Sequence, residues 1–129
     1  MDENFKFACA INCMDGRVQD PVKDYIKSNY DADYVDMVTE PGPNKILADD
    51  VESGVVNNIL DRVNISIKHH GSKLLAVVGH FGCAGNQADK ATQINHLKKA
   101  KENLATRFKD IEIILLWVPK GWDKAELIK

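Results

Sequence analysis

The sequence has little of what most specialised folds require. Three cysteines in 129 residues are too few, and too oddly counted, for a disulfide framework. No apolar run approaches the ~20 residues of a membrane-spanning helix, so no membrane partner is expected. Neither sign of charge is in excess: 17 Lys and Arg face 19 Asp and Glu, giving a net charge of −2 and a pI near 6.1. That balance offers no electrostatic reason to expect a nucleic acid or an anionic surface as partner. The opening Met1-Asp2-Glu3-Asn4 is acidic and has no signal-peptide character. Internal repeats, low-complexity tracts and linkers are missing too. What is left is 44% hydrophobic and 28% charged, ordinary for a globular chain and long enough to bury a core as one domain, 1–129. Unpaired thiols in such a chain suit a reducing, cytoplasmic setting, where they are kept for metal or catalysis.

Four apolar segments read as strands. Residues 5–11 and 73–79 are nearly continuous apolar runs, 111–118 is a third, and 34–38 is shorter and alternates with polar residues. Helical patterns lie between them. Pro21 opens one, with Asp20 placed as its cap. The stripe Leu47, Val51, Val55, Ile59, Val63, Ile67 predicts one long helix, with Asp49 and Asp50 early and Lys68, His69 and His70 late before Gly71. A further helix is expected over 88–108, with Ile94, Leu97, Leu104 and Phe108 inward. The stretch Glu40-Pro41-Gly42-Pro43-Asn44 is expected to end the second strand, since it can continue neither a sheet nor a helix. Residues after Pro119 read as a short tail carrying Trp122.

Strands alternating with helices imply right-handed crossovers. The expected fold class is therefore α/β: a four-stranded, mostly parallel sheet in the order 2-1-3-4, with helices on both faces. Its topological switch point falls between strands 1 and 3, where open α/β sheets place their ligands.

Two chemistry-bearing stretches end those two strands. The third strand runs into Gly79-His80-Phe81-Gly82-Cys83, and the first into Asn12-Cys13-Met14-Asp15-Gly16-Arg17. Cys13, His80 and Cys83 together offer two thiolates and an imidazole, which bind Zn²⁺ with no net charge. Three protein ligands with a fourth position open is the catalytic pattern, and zinc there turns water into hydroxide near neutral pH. Asp15 is placed to hydrogen-bond that hydroxide, and Arg17 to hold Asp15 by a bidentate pair and keep it off the metal.

At these residues the chain resembles the β-class carbonic anhydrases. Cys13-Met14-Asp15-Gly16-Arg17 matches that family's Cys-x-Asp-x-Arg motif, and His80-Phe81-Gly82-Cys83 its His-x-x-Cys. The resemblance implies one Zn²⁺ per chain on Cys13, His80 and Cys83, an Asp15–Arg17 dyad, and reversible hydration of CO₂ to bicarbonate. It also implies a homodimer with its cleft at the subunit interface. Departures are visible. Gly16 stands where the family has Ser or Ala, and Gly82 and Ala84 replace an acidic residue and a glycine. Glu40-Pro41-Gly42-Pro43 replaces Asn-Ala-Gly-Asn, and only twelve residues precede Cys13 where the family has a helical extension.

Other readings of the same residues stand beside this one. The same chemistry suits another small linear substrate, such as carbonyl sulfide or carbon disulfide, and a zinc-binding module without turnover would keep the same ligands. A phosphatase-like thiol enzyme would want Cys-x5-Arg, but Asp89 occupies that place after Cys83 and repels phosphate. Cys9, roughly 13 Å from Cys13 along an extended strand, reads as core, as does Trp117. His96 reads as surface, Glu40 as an exposed strand-end acid, and Trp122 as a lid or interface residue.

Overall fold

The computed structural model describes residues 5–49 and 52–129. Met1-Asp2-Glu3-Asn4 and the expected helix positions Asp50 and Val51 lie outside the described residues. Buried strands without alternation need cover on both faces, and the chain supplies it by winding both ways from its first strand. In order come β1 (Phe7–Cys13), a single 3₁₀ turn (Gly16–Val18), α1 (Gln19–Asn29), β2 (Tyr34–Glu40), α2 (Pro43–Asp49), α3 (Gly54–His70), β3 (Leu74–His80), α4 (Lys90–Ala105), β4 (Glu112–Val118) and β5 (Glu126–Ile128). The sheet order is β2-β1-β3-β4-β5. The four expected strands pair in parallel in the expected order. The tail, however, returns as a fifth, antiparallel strand on β4. Three residues of β5, set among charged neighbours, carry no strand signal of their own; pairing with Leu115, Leu116 and Trp117 makes them one.

The two faces bury separate clusters. Cys9, Ile11, Leu75, Val77, Ile113 and Leu115 pack under α2, α3 and α4. Ala8, Ala10, Ala76, Val78, Ile114 and Leu116 pack with Val22 and Ile26 of α1. Alternate residues of each strand thus feed opposite cores, the period-two rule at work in strands buried on both sides.

Several helix expectations change. The single long helix is two, α2 and α3. Ser53 is extended and caps α3, its side chain accepting from the Val56 amide at 3.2 Å. That restart sets the phase by Val56, Ile59, Leu60 and Val63, and leaves Val55 46% exposed. Helix α2 begins at Pro43, since the first helical position needs no amide hydrogen. Asp20 lies inside the first turn of α1 rather than capping it, because the 3₁₀ turn brings the chain into the helix two residues earlier. Helix α4 starts later than expected, at the Asp89 cap, and ends at Ala105, with Phe108 still buried beyond it. Gly71 does end α3, in the left-handed conformation.

One feature of the sheet sets up the site. Strands β1 and β2 stay in register to Cys13–Glu40, and β3 and β4 to His80–Val118, but β1 and β3 pair only from Cys9–Leu75 to Ile11–Val77. Beyond that the two central strands part at their carboxyl ends. Between them lies the crevice where a doubly wound sheet accepts its ligand.

Candidate metal centre

Cys13 is the last residue of β1 and His80 the last of β3, so each is delivered to the crevice by a strand that is rigid on its other edge. Cys83 follows in the loop after β3, where Gly82 takes a positive φ of 73° that turns the chain back. The candidate ligand atoms of Cys13, His80 and Cys83 lie within 4.8 Å of one another, and all three residues are buried. The two sulfurs are 3.8 Å apart. The Nδ1 of His80 is 2.8 Å from the Phe81 carbonyl. A carbonyl only accepts, so this nitrogen carries the proton and Nε2 keeps its lone pair. That Nε2 is the one buried side-chain polar atom without a partner among the described residues. A buried imidazole lone pair, oriented from behind and facing two sulfurs, is the donor set a zinc ion needs.

Proton affinities follow the same crowding. The hydrogen bond from Cys83 holds the Cys13 thiol well below its usual range, while Cys83, with that thiolate beside it and burial added, is pushed up. Burial lowers the pKa of His80, but the Cys13 thiolate and the Phe81 carbonyl outweigh it and leave the pKa raised. Cys9 is a different case. Burial drives it up to about 12, the value of a structural thiol, and it belongs to the core as expected.

Asp15 and Arg17 meet beside the cluster. The Arg17 Nε lies 3.1 and 3.2 Å from the two carboxylate oxygens, and its NH2 donates to Oδ2 at 2.7 Å. The Arg17 amide adds a bond to Oδ1 at 2.9 Å. Hydrogen bonding to Arg17 holds the Asp15 carboxyl down at about 2. The same NH2 reaches the Gly82 carbonyl at 3.2 Å, tying the first loop to the second. Gln19 fixes the first loop from below, donating to the Cys13 and Asp15 carbonyls at 2.8 Å each.

Residues that the sequence did not point to hold the second loop. Gln93, on α4 and 1% exposed, donates to the His80, Asn86 and Ala88 carbonyls. Its oxygen accepts from Asn44, which in turn accepts from Asn86. His96 is half-buried and bonded to Asn86 at 3.0 Å, a correction to its surface reading. The available signal was a polar residue on an apolar stripe, since Gln93 stands one, two and three turns before Leu97, Ala100 and Leu104. Gly42 and Gly85 bring the two loops into backbone contact. A Cβ on Gly85 would stand 2.4 Å from the Pro41 carbonyl carbon, and one on Gly42 2.6 Å from that of Gly85. Glu40 is half-buried and ion-paired with Arg62 of α3 rather than an exposed free acid. The Trp122 ring sits over Gly82, its Nε1 donates to the Phe81 carbonyl at 2.9 Å, and the Arg17 guanidinium lies 4.0 Å from its centroid.

This α/β sheet has the architecture of the β-carbonic anhydrases, and solved structures of that class superpose on it. One, from the tetrameric β-carbonic anhydrases of the filamentous ascomycete Sordaria macrospora, has a TM-score of 0.51 at 14% identity, over 98% of this chain and 82% of that one. The carbonic anhydrase of Streptococcus mutans gives 0.56 at 15% identity, over 95% and 81%. The β-carbonic anhydrase CafD of Aspergillus fumigatus gives 0.56 at 10% identity, over 99% and 91%. At such identities the likeness establishes the fold alone. The family follows from the sequence: a family model described as "Putative carbonic anhydrase" matches residues 3–128, and the chain belongs to that family. No curated protein matches it.

Proposed function

We propose that this chain is a zinc lyase interconverting CO₂ and bicarbonate, with Cys13, His80 and Cys83 holding the ion and Asp15 and Arg17 beside it. The observation that carries the reading is the Nε2 of His80, buried and unpaired, with its tautomer set by Phe81 and two sulfurs within 4.8 Å. A zinc ion bound there supplies a Lewis acid that makes water acidic near neutral pH. Two thiolates and one neutral imidazole balance its charge and leave a fourth position for a small molecule.

The chain's own groups do the rest. Asp15 stays ionised far below neutral pH, so it only accepts, and it orients water in the crevice by taking one hydrogen bond. Arg17 occupies both carboxylate oxygens and keeps Asp15 from swinging onto the ion. Met14 and Phe81, chain neighbours of two candidate ligands, are 63% and 45% exposed and give an uncharged linear substrate apolar surface to approach. A homodimer and a cytoplasmic location belong to the same proposal; light scattering checks the first and cell fractionation the second.

The deciding experiment is stopped-flow CO₂ hydration with zinc content measured on the same sample, for the native chain and Asp15→Asn. Turnover well above buffer, falling by about 10²-fold or more in Asp15→Asn while zinc stays near one per chain, is the expected result. Zinc without hydration would make the chain a binding module, or an enzyme for carbonyl sulfide or carbon disulfide, which parallel assays distinguish. No zinc would end the metal reading.

A further inference from the structure

We infer that Trp122 is a positioning residue for the metal centre, locking the histidine ligand and the arginine of the dyad through one side chain. The inference rests on the zinc reading above and adds to it a residue outside both sequence motifs. Three contacts converge on this ring. Its Nε1 donates to the Phe81 carbonyl at 2.9 Å, the same oxygen that accepts from His80 Nδ1 at 2.8 Å. With both lone pairs engaged, that carbonyl cannot rotate away from the imidazole, so the direction of Nε2 is set two bonds further out. Arg17 lies 4.0 Å from the ring centroid, a cation–π distance, while its fork grips Asp15. The ring edge also covers Gly82, where a Cβ would meet it at 3.3 Å, and thereby holds the turn that presents Cys83.

The backbone supports the same conclusion. Trp122 has a φ of 51°, the only non-glycine residue with positive φ among the described residues. For a bulky side chain this is a strained conformation that persists only where surrounding contacts dictate it. The ring is half-exposed on a short connection, where it packs against the α1-side core and also meets Phe81, Arg17 and Gly82. The connection itself is anchored by β5, which returns the chain to β4 directly after it.

The test uses the full chain with Trp122→Phe and Trp122→Leu. The first removes the N–H and keeps an aromatic face for Arg17; the second removes both. Zinc affinity is measured by competition with a chromophoric chelator, and the melting temperature is measured on chelator-stripped protein. The expected result is about tenfold weaker zinc binding in Trp122→Phe, the low end for partners that orient a ligand, with the stripped melting temperature unchanged. The His80 Nδ1 proton should also exchange faster with solvent in that variant. Unchanged affinity, or a loss matched by destabilisation of the stripped protein, would make Trp122 a packing residue and overturn the inference. A Cys13→Ser control separates the two levels. If it binds zinc as the native chain does, the zinc reading itself fails, and the inference fails with it.

Discussion

The two ends of the sheet solve opposite problems with similar residues. At the amino ends of the strands, Lys6 pairs with Asp31, and His70 lies against Asp36 with its ring stacked 4.2 Å from Phe7. Lys68, Lys73 and Glu112 add further charge around a cavity of about 740 Å³. At the carboxyl ends the neighbouring cavity is smaller, about 560 Å³, and beside the Asp15–Arg17 and Glu40–Arg62 ion pairs stand buried amides and an imidazole aimed at backbone carbonyls. Charge on long, solvated side chains costs ordering entropy and gives little back. Short amides in a water-poor site fix loops because each unpaired group there is expensive. The larger, more charged cavity is therefore the less organised end. Cavity size points away from the candidate site; buried pairing points toward it.

That contrast can be broken, beginning with the largest effect. Gly85→Ala places a methyl against the Pro41 and Gly42 backbone, where every atom it meets belongs to the main chain and cannot swing aside. A cost of about 3 kcal/mol is expected, the upper part of the range for overpacking, read as a drop in urea midpoint. Gln93→Leu keeps the volume and strands the His80, Asn86 and Ala88 carbonyls. About 2 kcal/mol is expected, with zinc affinity falling as well, since the loop between His80 and Cys83 loses its anchor.

Acid sharpens the comparison from the carboxyl end. The Asp15 carboxyl is held at about 2 in the fold against about 4 unfolded. Its contribution is therefore complete above about pH 4 and is lost as the pH falls toward 2, since the unfolded chain then binds the proton first. Arg17→Met should flatten that part of the stability–pH curve, measured by urea melts between pH 6 and pH 2. The smallest effect belongs to the other end. Asp31→Asn breaks the exposed pair with Lys6 and should leave both the urea midpoint and zinc content unchanged.

Much of this fold was legible because buried parallel strands announce themselves as apolar runs, and chain order with handedness then fixes their neighbours. The meeting of Cys13 with His80 and Cys83 followed from that order. What escaped depended on partners distant in sequence. Strand β5 exists only because β4 accepts it. The break before α3 turns on one serine side chain, whose effect the four-residue stripe of Leu47, Val55 and Ile59 concealed. Asn44, Asn86 and Gln93 are 42 and 49 residues apart in the bonds that join them, and no local pattern records such pairs. Trp122 was not legible as a neighbour of Arg17, nor as a ring packed against the α1-side core.

The short pairing between β1 and β3 has a consequence for how the chain matures. A sheet normally has its firmest joint at the centre, yet here three rungs join β1 to β3 while seven join each to its outer neighbour. By chain order there is an early half, with β1 and β2, and a late half, with β3, β4 and β5, joined also by α2 against α4. Cys13 and Asp15 travel with the first, His80 and Cys83 with the second. Neither half carries a usable fragment of the centre, so a nascent or partly opened chain presents scattered thiols rather than a site. On the proposed zinc reading, metal loading would then report assembly, since the three ligands meet only when the two halves have docked.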